Sequence, residues 1–507
     1  MKKILYGASV QGIQSFIFKT NKLREIAGAS QIVDALFEEE FDTFQRGINL
    51  TISEDDIIMR AAGSIKLRLD EDNAKKIFKY FPKFVASKYP GLELSQAIVV
   101  FEDEDLTNDT LDELESKLRI KRNMPEMPVE SGFMALKRDR RTGGVAYPHN
   151  KGSNEQKYID KASWEKEDAI ENKSDKLTEK FSQNNIARFP KDFSDLTAGK
   201  ESGWMAVVHA DGNSLGNKMQ NLFKKNTGDA SEQLKEFSKK LNKATETAAN
   251  NAFDEVVLNA YMAEKKNNTK IEHYPFRPII LGGDDLTVVI RADLAWEFTR
   301  IFLEQFEDET EKTFGNFNGI NSKLTACAGI AYIKEKYPFH YGVNLAEELA
   351  KRAKKASKAV SKDNPPSSVQ FYKVQSSFTE KLEDMQERTH RIRSVGIDFN
   401  AGPYFIHESE KNEGYYSVED LNNIIKKLGK NTNEKDKPVS KLRSLISELY
   451  ENKSTAKFML NRMESINKTF YKDLNLSNLS KQLKLDKENN INKSIIMDAL
   501  HLHGFKA

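Results

Sequence analysis

Two adjacent acids, Asp284 and Asp285, follow two glycines in the segment LGGDDLTVVI. Gly282 and Gly283 permit the backbone angles of a tight hairpin and let a ligand approach the main chain closely. Neighbouring carboxylates repel each other, and a divalent cation between them removes the repulsion; hard oxygen ligands favour Mg²⁺ or Mn²⁺. A plain hairpin turn is the alternative interpretation, because glycine and aspartate are both common turn residues.

A third acid, Asp211, ends an apolar run in the segment HADGNSLG. In a split ferredoxin-like sheet the first strand lies beside the central hairpin, so we expect Asp211 to lie close to Asp284 and Asp285. Three such acids are typical of two-metal phosphoryl transfer, in which one metal activates an attacking 3′-hydroxyl and the other stabilises the pyrophosphate leaving group.

The residues after Asp211 predict a turn into a helix, whose N–H groups and positive dipole end could face a triphosphate. A simple turn with a helix cap is the alternative for this segment alone. The candidates for phosphate contact in the turn are Gly212, Asn213, Ser214 and Gly216. Lys354, in the helical segment AEELAKRAK, is a further candidate for contact with terminal phosphates, and a solvated lysine face is the alternative.

These segments belong to the second of two similar units. The first unit is predicted to run strand, helix, two strands, helix and strand, which is the split ferredoxin-like order, and the second unit repeats it. We therefore predict an α+β chain with two tandem ferredoxin-like domains and a mostly helical C-terminal domain. The predicted boundaries are 1–106 for the first domain, 107–202 for a charged linker or insertion, 203–375 for the second domain and 376–507 for the C-terminal domain.

The first unit lacks the acids. It has Ala8-Ser9 where the second has Ala210-Asp211, and the sequence AAGS, residues 61–64, where the second has GGDD. We therefore predict a pseudo-catalytic domain that holds a second nucleotide, and packing within a duplicated fold is the alternative role. The candidate contacts are Gly12, Gln14 and Ser15.

The composition excludes several classes of protein. The 507 residues include 78 Lys and Arg against 76 Asp and Glu, a net charge of +2, so no overall basic excess indicates a nucleic-acid surface. The single cysteine, Cys327, excludes internal disulfides and a multi-cysteine zinc site, and we expect it to be a small core residue. No apolar run has the length of a membrane span or a signal peptide, so we expect a cytoplasmic protein without a membrane partner.

Together these residues resemble the large Palm-domain subunit of type III CRISPR effector complexes, the subunit that synthesises cyclic oligoadenylate. GASVQGIQSFIFKTNKLREIAGASQIVDAL is similar to the start of that family's first Palm domain, and HADGNSLG and LGGDDLTVVI are similar to the active site of its second. LTACAGIAYIK, AEELAKRAKKASK, SSVQFYKV and GPYF are similar to stretches that follow. The family commonly also carries a His/Asp nuclease domain and a cysteine-based zinc motif. This sequence matches neither, and TGGVAYPHN stands in the region of the zinc motif.

The resemblance implies two tandem Palm domains that bind two ATP molecules between them and join ATP into a 3′–5′ cyclic oligoadenylate, a second messenger in antiviral defence. It places Mg²⁺ or Mn²⁺ on Asp211, Asp284 and Asp285. Guide or target RNA and other effector subunits are expected at the lysine-rich C-terminal domain, for which a solvated helical bundle is the alternative, and a homodimer is left open. Two other functions stay open: synthesis of a cyclic dinucleotide or mononucleotide, and a non-catalytic nucleotide- or RNA-binding scaffold. The residues also leave open the base, the ring size and the activating trigger.

Overall fold

The computed structural model describes residues 2–61, 63–102, 107–124, 135–149, 157–172, 175–181, 186–198, 200, 202–215, 230–267, 271–315, 323–375, 381–410, 414–430, 438–466 and 492–506. Within these ranges, no helix is both long and apolar enough to span a bilayer.

The first domain is built on a four-stranded antiparallel sheet with the order β2-β3-β1-β4. Its strands are β1 (Lys2–Gln11), β2 (Ile57–Ala61), β3 (Ser64–Leu69) and β4 (Glu93–Glu102). Its helices are α1 (Ile13–Ile17), α2 (Leu23–Ala35), α3 (Phe41–Gly47) and α4 (Glu71–Lys88), with a π-helical turn at Leu36–Glu40 and a 3₁₀ turn at Glu54–Asp56. This is the predicted split ferredoxin-like order.

The first helical stretch, predicted as one helix, is two. The chain between α1 and α2 turns towards the second domain, where the Asn21 side chain accepts the Phe339 N–H at 2.9 Å and the Phe18 ring lies 5.9 Å from the Phe339 ring. Because Phe339 begins a later helix, this contact supplies an acceptor for one of that helix's unpaired N–H groups. Helical periodicity in the first domain could not reveal a contact of this kind with a residue more than 300 positions away.

The segment predicted as a charged linker contributes to the first domain's packing. It contains the hairpin strands β5 (Ala146–His149) and β6 (Lys157–Asp160) and the helices α5 (Asn108–Arg122), α6 (Lys161–Asn172), α7 (Lys176–Glu179) and α8 (Phe193–Leu196). Leucines of α5 pack on Leu5 and on β4, over the face of the sheet opposite α2 and α4. Helix α6 crosses α2 so closely that a Cβ on Gly28 would lie 1.7 Å from the Lys166 carbonyl oxygen. A boundary at residue 106 therefore divides a hydrophobic core.

The second domain repeats the first and extends it. Its strands and those that follow are β7 (Trp204–Gly212), β8 (Phe276–Gly282), β9 (Asp285–Arg291), β10 (Ala326–Lys334), β11 (Ser368–Lys373), β12 (Arg391–Ile392), β13 (Ile397–Asp398), β14 (Tyr404–Phe405), β15 (Tyr416–Ser417) and β16 (Asn492–Lys493). The order β8-β9-β7-β10 matches that of the first sheet, and β11, β14 and β15 continue it to seven strands. Strand β11 runs parallel to β10, so the full sheet is mixed.

Helices cover both faces of this sheet. They are α9 (Ala230–Ala252), α10 (Asn259–Asn267), α11 (Ala292–Phe314) and α12 (Phe339–Val360), with a π-helical stretch at Phe253–Leu258 between α9 and α10. Alternate β7 residues point to opposite faces. Ala206, Val208 and Ala210 pack with α9 and α11, whereas Met205 and Val207 pack with α12 and join the core of the first domain. The two domains thus share one continuous core.

The C-terminal segment is mainly helical, as predicted, and packs on the second domain. Its helices are α13 (Leu382–His390), α14 (Val418–Lys430), α15 (Pro438–Glu451), α16 (Lys453–Ile466) and α17 (Ile496–Lys506), with 3₁₀ turns at Arg393–Val395 and Glu408–Glu410. The Trp296 indole of α11 donates to Asn422 of α14 at 2.9 Å. The Phe505 ring of α17 stacks on Tyr332 of β10, with ring centroids 4.5 Å apart.

Candidate functional site

The three predicted acids converge at one edge of the second sheet. The carboxylate oxygens of Asp211, Asp284 and Asp285 include a set that lies within 4.8 Å of one another. Strand β7 pairs with β9 so that Ala210 lies opposite Leu286, and Asp211, the next residue of β7, therefore lies beside Asp285. The three acids lie on β7 and on the hairpin that leads into β9, which is the arrangement expected from the ferredoxin-like order.

Glycines allow the three carboxylates to lie this close together. Gly283 at the hairpin tip has a φ of 62°, a conformation that favours glycine, and Gly282 pairs with Asp285 at the base of the turn. A Cβ on Gly212 would lie 2.9 Å from both Cβ and Oδ2 of Asp284. Gly212, predicted to face a phosphate, thus also creates the space that Asp284 occupies.

Helix α9 fixes the hairpin tip from behind. The Asn242 side-chain oxygen accepts the Gly283 N–H at 3.1 Å, and the Thr245 hydroxyl donates to the Gly283 carbonyl at 2.7 Å. Both backbone groups of the one tip residue are therefore held by side chains of a single helix. Neither residue could be predicted from the sequence, because a lone Asn and Thr some 40 positions before the hairpin carry no motif.

The charges at the edge are mutually unfavourable without a cation. Burial, followed by the Asp211 charge, raises the pKa of Asp284, and burial, followed by the Asp284 and Asp211 charges, raises the pKa of Asp285. The Lys354 ammonium forms an ion pair with Asp211 Oδ2. Neighbouring His209 contacts Thr287 at 2.9 Å, and burial lowers its pKa to about 4, so it is neutral at pH 7. Three hard oxygen donors, two of them with raised pKa values, fit a divalent cation such as Mg²⁺ or Mn²⁺.

Two other groups of acids and histidines converge in the described part of the chain, and internal contacts account for both. They are Glu307 with His407 and Glu410, and His390 with Asp498 and His501. Lys323 pairs with both glutamates of the first group, in one case at 3.5 Å, and supplies the balancing charge. In the second group the Tyr404 hydroxyl donates to Asp498.

The turn after β7 is held by internal hydrogen bonds, and Asn213, which the sequence predicted to face a phosphate, does not. The Asn213 N–H donates to the Thr325 carbonyl at 2.8 Å, and its fully buried side chain donates to the Thr325 hydroxyl at 3.1 Å, so neither group is available to a phosphate. Ser214 adopts a φ of 55°, and Gly216 lies outside the described residues. The Lys354 ammonium, expected near terminal phosphates, lies on Asp211 at the edge of the same site.

The first domain repeats this turn without the acids. Its register places Ser9 opposite Ser64, and Ala61 pairs with Ser64 as Gly282 pairs with Asp285. Ser64 therefore occupies the position of Asp285, and Ser9 that of Asp211. The first edge offers hydroxyl groups where the second offers carboxylates.

A pocket of about 600 Å³ lies between the two domains. Gly12, Gln14 and Ser15 line it from the first domain, and all three are exposed; Gly282, Gly283 and Asp285 line it from the second. The candidate contacts from both predicted motifs thus border one cavity. Arg122 at the end of α5 and Asp34 of α2 also line it and were missed, because a single charge on an amphipathic helix resembles a solvated face.

Comparison with known proteins supports the assignment of the second domain. Residues 204–363 match the family model described as Cas10/Cmr2, second palm domain. The matched stretch runs from β7 to just beyond α12 and includes all three acids and Lys354. The resemblance to the type III CRISPR large subunit is therefore confirmed for this domain. No curated protein matches the chain.

A solved structure shows the same fold at low sequence identity. The Csm1–Csm4 cassette in complex with cA3 aligns with a TM-score of 0.52 and 12% identity, over 99% of this chain and 69% of that one. The cassette in complex with cA4 gives a TM-score of 0.44 and 14% identity, over 85% of this chain and 63% of that one. The aligned region therefore spans less than two thirds of the length of that cA4-bound chain.

Proposed function

We propose that this chain is a metal-dependent nucleotidyltransferase that joins ATP into a cyclic oligoadenylate, as the large Palm subunit of a type III CRISPR-type antiviral system. The observation that carries the proposal is the three-acid edge formed by Asp211, Asp284 and Asp285 beside the interdomain pocket. A solved structure of the same fold was crystallised with cA3. We extend that class of ligand to this chain.

The residues of the second domain have separate roles in such a reaction: holding the metal, admitting the nucleotide and binding phosphate. Asp211, Asp284 and Asp285 would hold Mg²⁺ or Mn²⁺, which when bound lowers the pKa of an attacking 3′-hydroxyl and stabilises the pyrophosphate leaving group. Gly282 and Gly283 leave the hairpin backbone open to the nucleotide. Lys354 releases Asp211 to the cation and pairs with phosphate oxygens instead.

The residues of the first domain would position the second ATP. Gly12, Gln14 and Ser15 present backbone and side-chain hydrogen-bonding groups to the pocket, and Arg122 adds a positive charge for phosphate. Ser9 and Ser64 carry no negative charge to balance a divalent cation, so this nucleotide is bound without its own metal-holding acids. Two nucleotides held in one cavity gain effective concentration for bond formation.

The C-terminal helices are the proposed contact surface for RNA or partner subunits. Two large apolar side chains of α16 are exposed to solvent, Phe458 at 66% and Ile466 at 54%. They are separated by eight positions and so lie on one side of the helix. A Phe458→Ser, Ile466→Ser variant should lose co-purifying subunits while keeping its thermal unfolding midpoint. Unchanged subunit recovery would exclude this surface.

The deciding experiment incubates purified protein with radiolabelled ATP and Mg²⁺ and resolves the products by chromatography and mass. Cyclic oligoadenylate should form, and should disappear in an Asp284→Ala, Asp285→Ala variant. The matched control is Asp254→Ala, Glu255→Ala, which removes an adjacent acid pair that is exposed outside the site. Each other nucleotide is tested in turn, so that a cyclic dinucleotide or mononucleotide is recognised by its mass. Equal product from the Asp284, Asp285 variant would refute the proposal, as would no product from any nucleotide with RNA and partner subunits present.

A further inference from the structure

A concave pocket of about 570 Å³ lies at the opposite end of β7 from the three acids. It is lined by the first residue of β7, by the turn after β10 and by the end of β11, and its lining residues are Trp204, Lys334, Lys336, Tyr337, Pro338, Lys373, Val374 and Gln375. Trp204 and Asp211 are seven residues apart on an extended strand, a distance of about 23 Å. The pocket is therefore separate from the interdomain cavity.

The lining of this pocket is cationic. Lys334, Lys336 and Lys373 all border it, and none of its lining residues is an acid. The neighbouring Glu335 turns away and accepts a hydrogen bond from Thr197 at 3.3 Å. Within the described residues, none of the three lysines forms an ion pair; Lys373 is half-buried, whereas Lys334 and Lys336 are exposed. The Lys334 ammonium donates to the Ser202 carbonyl, a neutral acceptor. Three positive charges therefore border the pocket without a balancing carboxylate among its lining residues.

Lys373 is the most constrained of the three. Its ammonium lies 4.8 Å from the Trp204 ring centroid and 4.8 Å from the Phe505 ring centroid, and the Lys334 ammonium lies 4.5 Å from the same Trp204 ring. Burial, together with the charges of Arg443 and Lys334, lowers the pKa of Lys373 to about 8. Two ammonium groups held against one indole repel each other, and an anion between them would relieve that repulsion.

We propose that this pocket binds the phosphate group of a small phosphate-bearing molecule through Lys334, Lys336 and Lys373. Phosphate suits the site because it carries more than one negative charge and offers several acceptor oxygens to separate ammonium donors. The volume lies in the range of small-molecule sites. Nucleotides and inorganic polyphosphates share this chemistry. The site stands independently of the proposed function, because it contains none of the residues assigned to nucleotidyl transfer.

The test uses the full-length chain carrying Asp284→Ala and Asp285→Ala, in EDTA, to remove metal-dependent binding at the other site. Pyrophosphate, AMP and adenosine are titrated separately by calorimetry. We expect pyrophosphate and AMP to bind and adenosine not to bind. Adding Lys334→Gln and Lys373→Gln should lower the affinity for both anions by at least about tenfold. Lys312→Gln, which removes an exposed lysine elsewhere, should leave the affinities within about twofold.

The relative affinities identify the source of the phosphate. AMP binding tighter than pyrophosphate assigns a nucleotide, with contacts from Tyr337 or Trp204 to the base or sugar, and the reverse order assigns an inorganic polyphosphate. Adenosine binding as tightly as AMP would overturn the proposal, because the phosphate would then contribute nothing. Equal anion affinity in the two-lysine variant would also overturn it, as would no binding of either anion to the starting protein. Circular dichroism of each variant confirms that a loss of binding is not a loss of fold.

Discussion

Gly12 and Ser214 share one left-handed backbone conformation, with φ angles of 54° and 55°, at equivalent points in the two domains. Each follows the first strand of its domain, and in each turn the preceding residue donates a side-chain amide to a hydroxyl near the closing strand. Gln11 donates to Ser95 in the first domain, and Asn213 donates to Thr325 in the second. The duplication therefore extends beyond strand order to the hydrogen bonds of single turns.

Gly12→Ala should destabilise the first domain by about 1 kcal/mol, because a Cβ is unfavourable in the left-handed region. A Cβ there would meet only Ser15, at an ordinary 3.6 Å, so the loss is conformational rather than steric. Gly47→Ala is the control, since Gly47 ends α3 with open space around it and should gain stability. Urea unfolding measures both. Equal changes in the free energy of unfolding for the two variants would contradict the conformational cost assigned to Gly12.

Asp285→Asn should stabilise the metal-free protein, increasingly so as the pH rises. Burial raises the pKa of Asp285 to about 8, whereas an unfolded aspartate titrates near pH 4. Between these values the folded protein binds a proton that the unfolded chain does not, so wild-type stability falls with rising pH and the variant escapes this fall. Thermal unfolding in EDTA at pH 6 and 8.5 tests this, with exposed Asp363→Asn as control. A pH-independent difference between wild type and variant would contradict it.

Lys354→Met should tighten metal binding but impair turnover. The Lys354 ammonium competes with a cation for Asp211, so its removal should lower the Kd for Mn²⁺ several-fold in the absence of nucleotide. Product formation from ATP should fall, because the lysine no longer pairs with phosphate. Lys351→Met, whose side chain is 77% exposed on the same helix, should change neither quantity. Weaker Mn²⁺ binding in the Lys354 variant would show that the lysine orders the acids rather than competing for them.

Thr245→Val should lower kcat about tenfold with little change in KM for ATP. The variant keeps the side-chain shape and removes the hydroxyl that holds the Gly283 carbonyl, so the acids lose position while the nucleotide contacts remain. The stability loss should be about 1 kcal/mol. Thr247→Val, which removes an exposed hydroxyl from the same helix, is the matched control. An unchanged kcat would show that Asn242 alone holds the tip.

Gly329→Ala should destabilise the second domain by about 2–3 kcal/mol. A Cβ at this position of β10 would lie 2.0 Å from the Ala346 carbonyl oxygen and 2.5 Å from the Ala350 nitrogen, both in the backbone of α12. Helix α12 must move away, which shifts Lys354 relative to Asp211 and should also lower product formation. Gly429→Ala, which meets nothing within 4 Å, is the control in urea unfolding. A variant as stable as wild type would contradict the close packing.

The sequence predicted best those features that repeat locally. Alternation and helical spacing predicted the four strands that the two sheets share, but not β14 and β15 at the edge of the second sheet. The glycine and aspartate pairs predicted the hairpin whose acids meet Asp211. It did not predict that α5 covers the first sheet, although the spacing of Leu111, Leu114 and Leu118 carried that signal among many charges. Nor could it predict that Asn213 is buried, because an Asn in a turn has the same appearance whether it faces a ligand or pairs with Thr325.

Only one of the two duplicated edges carries acids, because Ser9 and Ser64 stand where the other has Asp211 and Asp285. A symmetric pair of sites could close a ring of two nucleotides by making both phosphodiester bonds at once. Among the described residues, the proposed reaction has one bond-forming centre per chain, so the bonds of a ring must be made in succession. The growing strand must therefore translocate by one nucleotide after each step, and ring size becomes a competition between extension and closure. Linear intermediates with a 5′-triphosphate are then obligatory species.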